Sequence, residues 1–157
     1  MEQQINEVYS LMIPIVDQSI LLPNSTVAEI VPFGDVERLN DVGPEWYIGH
    51  LNWRNMKVPL VSVDILNGGE DPQANKRSRV AVVNTIGDSE ELPYIAIIVQ
   101  GIPRLTHVTR PAISLVEEVD LGIADKARVK IGSIQATIPD LEKLEELISE
   151  QGEISAE

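Results

Sequence analysis

Few side chains in this sequence have the type and spacing that chemistry demands. The two histidines, His50 and His107, stand alone, without the His-x-x-x-His or Glu-x-x-His spacing from which a metal site is built. There is no cysteine, which removes thiolate metal centres, disulfides and thiol nucleophiles. No G-x-S-x-G elbow offers an activated serine. The Asn67-Gly68-Gly69 stretch is followed by acids, with no Lys-Ser/Thr to hold a phosphate. The acid pairs Glu90-Glu91 and Glu117-Glu118 are adjacent in sequence, so on a strand they point to opposite faces and cannot share a proton. No catalytic residue, metal ligand or cofactor site emerges, and the chain reads as a non-enzyme.

Recognition chemistry remains. Arg54 is the only Lys or Arg between Arg38 and Lys57, and it follows Trp53 in a turn-forming Asn52-Trp53-Arg54-Asn55 tetrad. A guanidinium plane can stack on an aromatic ring while forking onto a carboxylate. Trp53 has two readings: an exposed partner anchor, or a cover over the end of a barrel.

The elements that must hold these residues are mostly strands. Tyr9 to Ile15 and Ile20 to Leu22 read as a hairpin across Val16 to Ser19. Val27 to Val31, Tyr47 to Leu51, Val58 to Ile65, Val80 to Ile86, Tyr94 to Ile102, Arg104 to Val108 and Val129 to Ile138 read as further strands. Pro59 cannot donate to a ladder, which predicts an edge or a bulge there. Residues 35–44, 67–75 and 87–92 read as loops. Pro111 to Leu115 reads as a turn and Val116 to Leu121 as a strand. Tyr94 to Val99 is apolar throughout, which predicts burial of both faces. Asp140 is placed to cap a closing helix, with Leu141, Leu144, Leu147 and Ile148 on its apolar stripe. Strands without intervening helical patterns imply antiparallel sheets or barrels.

Composition agrees. The 157 residues suit one domain and contain 19 Ile, 17 Val and 14 Leu, against six aromatics, so the core is aliphatic and leans to strand. The net charge is −13, which opposes binding to nucleic acid or direct docking on anionic lipid and leaves basic partners open. The same charge serves solubility. Tyr94 to Val99 is far short of the ~20 apolar residues that cross a bilayer, and the polar start lacks a signal-peptide pattern. A cytoplasmic protein is expected.

The order of motifs resembles the CheW-like domain family of bacterial chemosensory systems. Val27-Ala28-Glu29-Ile30 is similar to the family's V-x-E-[IV] strand. Gly49-His50-Leu51-Asn52-Trp53-Arg54-Asn55 is similar to its G-x-x-N-x-R-G turn, and Pro59-Leu60-Val61-Ser62-Val63 to its P-[VI]-[VI]-D-L strand. Ala96 to Ile102 resembles its G-[IL]-x-V-D-x-V strand, and Ile138 to Leu147 its closing strand and helix. Asn55, Ser62-Val63, Gln100 and Ala96 depart from the pattern, with Asp64 one position late. These departures suggest a divergent branch, such as accessory scaffolds of pilus-motility clusters.

The resemblance implies a mainly β fold: two small five-stranded SH3-like barrels side by side, with a short C-terminal helix. The domain would span 9–150, with strand crossover between barrels and tails at 1–8 and 151–157. It implies an adaptor, recruited to membrane receptor arrays, that joins a chemoreceptor hairpin tip to the regulatory domain of a histidine kinase, and a monomer or weak dimer when alone. Glu29 and Arg54 match a charged pair tied to that coupling, on or beside the turn of Asn52 and Trp53. Val27, Gly49 and Leu105 match positions at or near the receptor groove. A generic β-barrel binding module and a small carboxylate-dependent β-barrel enzyme are the alternatives.

Overall fold

A computed structural model describes residues 7–16, 18–34, 36–38, 44–69, 78–85, 92–109, 112–117 and 119–151. The tails as far as residue 6 and from 152, and the 87–91 loop with its Glu90-Glu91 pair, lie outside them, as does Glu118. Twelve strands are present among the described residues: β1 (Glu7–Pro14), β2 (Ser19–Pro23), β3 (Val27–Pro32), β4 (Val36–Arg38), β5 (Tyr47–Trp53), β6 (Met56–Val61), β7 (Arg79–Asn84), β8 (Tyr94–Val99), β9 (Arg104–Thr109), β10 (Ile113–Leu115), β11 (Asp125–Ile131) and β12 (Ile134–Pro139). A one-turn helix α1 (Val63–Leu66) follows β6, and α2 (Leu141–Ser149) follows β12.

Two six-stranded sheets form, in the orders β10-β11-β12-β2-β1-β9 and β3-β7-β8-β6-β5-β4. Each has six strands where five were expected, and a three-residue strand, β10 or β4, lies at one edge. The N-terminal hairpin leaves the strands that follow it and joins β9 and β12 in the first sheet. Each sheet wraps around its own interior, because both edges contribute to one cluster. Val108 of β9 and Ile113 of β10 meet around Leu21 and Val129. Val31 of β3 and Val36 of β4 meet around Leu51, Leu60 and Ile98.

A third cluster lies between the sheets. It joins Ile13, Ile20 and Leu22 of the first sheet to Tyr47, Val61, Ala81, Ile95 and Ile97 of the second. This explains β8: Ala96 and Ile98 fill the second sheet's interior while Ile95, Ile97 and Val99 fill the shared core, and all five are buried. The closing helix belongs here too. Leu141, Leu144 and Ile148 are buried in the shared core, so α2 seals the junction and not the end of one barrel as a cover. Its cap is the expected one, with Asp140 Oδ1 accepting from the Lys143 N–H at 3.1 Å.

Several boundaries differ from the sequence reading. The apolar run Val58 to Ile65 breaks at Ser62, whose Oγ accepts from the Ile65 N–H at 3.1 Å and starts α1. The run Val129 to Ile138 is two strands, because Gly132 takes φ +63° and reverses the chain between Ile131 and Ile134. Ile113 to Leu115 is strand and not turn, since it finds β11 as a partner, while no strand is present among the described residues of Val116 to Leu121. Pro59 sits on an inner strand and not at an edge. The parallel ladder from β6 to β8 takes up at Leu60, one residue later, and the nearby bulge falls on β5 between Tyr47 and Gly49.

Candidate partner-binding surface

The candidate surface is built where β3 meets the β5–β6 hairpin. Arg54 and Asn55 have φ +49° and +63°, and Trp53 pairs with Met56. Two consecutive left-handed residues make the tight two-residue turn that suits the twist of a hairpin. Asn55 meets the left-handed requirement in the family's glycine position. The turn is therefore Arg54-Asn55 alone, with Asn52 and Trp53 inside β5.

A bulge aims Glu29 at this turn. The register of β3 on β7 shifts between Val27 and Glu29, leaving Ala28 as the extra residue. Simple alternation would put Val27 and Glu29 on one face; an extra residue reverses the parity. Val27 and Ile30 pack against the shared core, whereas Val31 packs with the cluster that contains Trp53. Glu29, two residues from Val31, shares that side.

There the Trp53 indole N–H donates to Glu29 Oε1 at 2.9 Å, and Arg54 Nη2 donates to the same oxygen at 3.4 Å. The Arg54 guanidinium lies 4.4 Å from the centre of the Trp53 ring. Tyr94 supports the indole from within, edge to face at 4.8 Å. Trp53 is 6% exposed, which favours its role as a covering ring over that of an exposed anchor. The side chains of Arg54 and Glu29 are 63% and 44% exposed, so the charged groups face solvent on a buried aromatic base. Beside them Asn52 reaches Glu37 at 3.5 Å, and Lys57 approaches Glu37 at 3.6 Å.

The other expected residues fall elsewhere. Gly49 is buried in β5 between Arg38 of β4 and Leu60 of β6. Leu105 belongs to the other sheet, on edge strand β9 opposite Leu11, and is 61% exposed. Leu11, Val27 and Ile30 all border the shared core, so the faces bearing Leu105 and Val27 lead to the same junction. On the Leu105 face, exposed Tyr9 stacks on His107 with ring centres 4.6 Å apart.

Sequence reading missed Tyr94, whose place in a continuous apolar run marked it only as strand. It also missed the mouth of the first barrel, where exposed Ile102, Arg104 and Ile134 surround a cavity of about 250 Å³ that reaches Met12 and Ile131. A surplus of apolar residues at strand ends was the available signal. His50 is buried, 3.3 Å from the Tyr47 hydroxyl, and its pKa is lowered first by burial and then by Lys57, against the pull of Glu37. Asp64 is also buried, with its carboxylate accepting from the Val16 N–H at 3.1 and 3.2 Å. Among the described residues no cluster of three His, Asp or Glu is arranged to hold a metal, and no helix is long and apolar enough to cross a membrane.

A family model for the CheW-like domain matches residues 10–147. The chain belongs to the CheW-like domain family. Its fold is similar to that of the scaffolding protein TtCheW from Thermoanaerobacter tengcongensis, with a TM-score of 0.68 and 18% sequence identity over 84% of this chain and 88% of that one. A search of curated proteins finds no match. The CheW-like match covers most of the N-terminal hairpin, the rest of both sheets and most of α2, so the Glu29–Trp53–Arg54 cluster and Leu105 lie within it.

Proposed function

We propose that this CheW-like chain is a non-enzymatic adaptor of a bacterial chemosensory system, joining a chemoreceptor hairpin tip to the regulatory domain of a histidine kinase. The observation that carries this reading is the Glu29–Trp53–Arg54 cluster: two exposed charges held in fixed relation by a buried indole. A preset guanidinium and carboxylate loses less side-chain entropy on docking than free ones would. The cluster suits recognition of a partner's own charges. The exposed apolar groups around Leu105, and those at the mouth formed by Ile102 and Ile134, suit burial against apolar partner surfaces.

The enzyme alternative draws no support from the polar cleft between α1 and β11. Two of its carboxylates, Asp64 and Asp125, are engaged as acceptors of backbone N–H groups, at Val16 and Gly122 respectively. Those contacts account for them as structure.

The test is titration calorimetry of the full chain against the kinase regulatory domain of the same organism. An affinity of ~1 µM or better is expected for an interface of ordinary size. Absence of binding to every such domain in the genome, at concentrations about 100-fold above 1 µM, would overturn the proposal in favour of a generic binding module.

A further inference from the structure

On the side of α1 an amide side chain links the two sheets. Asn67, which closes α1, donates from Nδ2 to Asp125 Oδ1 at 2.9 Å and accepts at Oδ1 from the Ala124 N–H, also at 2.9 Å. Asp125 in turn accepts from the Gly122 N–H at 2.8 Å. Gly122 lies so close that a Cβ there would overlap the Asn67 side chain. The clasp needs a group that donates at one end and accepts at the other, which an amide does and a carboxylate does not. It lines an open cleft of about 460 Å³ whose charged groups are Asp64 from α1, Asp120 from the preceding loop, and Asp125 and Arg128 from β11.

Asn67 is followed by Gly68, and this is the only Asn-Gly in the sequence. A glycine leaves its own amide nitrogen unhindered, and asparagine is a thermolabile residue. We propose that Asn67 is a deamidation site whose conversion to a carboxylate releases the clasp between the two sheets. The Gly68 nitrogen, after losing its proton to a water-derived base, bonds to Asn67 Cγ. The Cγ–Nδ2 bond breaks and ammonia leaves. Water then opens the five-membered imide at either carbonyl, giving aspartate or isoaspartate. A carboxylate there sets two negative charges against each other at Asp125, with Asp64 and Asp120 in the same cleft and Arg128 the one cation among its described residues.

The closed fold restrains this reaction. The Gly68 N–H donates to the Ile65 carbonyl at 2.9 Å, and both ends of the Asn67 amide are held. The nucleophile is engaged and the electrophilic carbon is fixed, so conversion proceeds through states in which the seam has opened. The site acts as a covalent record of those openings and, once converted, favours them.

Two measurements on the full chain decide the matter. Peptide mass spectrometry after incubation at mildly alkaline pH follows Asn67 in buffer and in urea. Conversion in buffer is expected to be at least about tenfold slower than in urea, with Gly122→Ala restoring much of the rate by displacing the amide. Hydrogen exchange at the Ala124 amide is then compared in wild type and Asn67→Asp. The variant is expected to lose at least about tenfold in protection at pH 8. Equal conversion rates in buffer and urea would overturn the proposal. So would wild-type protection of Ala124 in Asn67→Asp at pH 8. The exchange experiment stands even where Gly122→Ala fails to fold.

Discussion

The Trp53 indole N–H donates to the Glu29 carboxylate at 2.9 Å across 24 residues of sequence, which makes the indole and not Arg54 the nearer partner of that acid. An exposed ion pair is worth only ~0–1 kcal/mol. A hydrogen bond from a buried donor to a charged group contributes more, and leaving such a donor without its acceptor costs ~1–3 kcal/mol.

Glu29→Gln and Glu29→Ala should therefore part company. The glutamine keeps an acceptor for Trp53 and loses the attraction to Arg54, so unfolding free energy should fall by no more than ~1 kcal/mol. The alanine strands the indole N–H and should cost ~1–3 kcal/mol, or roughly 2–4 °C in Tm for each kcal/mol. Urea denaturation of the two variants checks the split; equal losses would refute it. Both should weaken kinase-domain binding.

Burial separates stability from binding among the isoleucines. Ile97 is fully buried in the shared core, and Ile97→Ala should cost ~2–5 kcal/mol. Ile102 is 75% exposed at the barrel mouth, and Ile102→Ala should leave unfolding within about ±0.5 kcal/mol of wild type. If the mouth packs against the kinase regulatory domain, calorimetry will show weaker binding for Ile102→Ala at unchanged Tm.

The helix cap gives a smaller, local effect. Asp140→Ala removes the acceptor for the Lys143 N–H at the start of α2 and should cost ~0.5–2 kcal/mol. Because α2 seals the shared core, the loss should appear in the global melt as well as in helix fraying. Asp140→Asn, which keeps an oxygen acceptor, should recover most of it.

His50 should make stability depend on mild acid. Its folded pKa lies below the ordinary value because burial disfavours the charged ring. The unfolded chain then takes up the proton first, so this stability is present above the unfolded pKa of ~6.5 and is lost as pH falls from there through the folded value. Thermal melts at about pH 7.5 and 5 should differ less in His50→Gln than in wild type. An unchanged difference would show that other groups set the acid response.

Salt should act on the approach of partners more than on the finished complex. With −13 on the chain and apolar groups at the mouth and along β9, acids can rim the contact without filling it. Charge steering works over roughly 8 Å at physiological ionic strength, so stopped-flow association rates should shift with salt while the affinity moves less.

Much of the strand pattern, the burial of β8 on both faces and the capped closing helix were legible in the sequence. These follow from local physics: β-branched residues favour the pleated state, a continuous apolar run must be covered on both faces, and an Asp before a helical stripe satisfies free N–H groups. Candidate side chains Glu29 and Arg54 came from spacing and resemblance, and the fold brings them together.

Tertiary structure decided the rest, because it depended on partners distant in sequence. The parity of β3 changes at Ala28 only because β7 sets the register on either side of it, and that change turns Glu29 toward Trp53. Trp53 reads as exposed or covered until Tyr94 and the second sheet's interior are placed against it. Asn67 is a loop residue in the sequence and becomes a clasp once Ala124 and Asp125 arrive from the other sheet. Local sequence fixes which groups a residue can offer; long-range pairing fixes which of them meet.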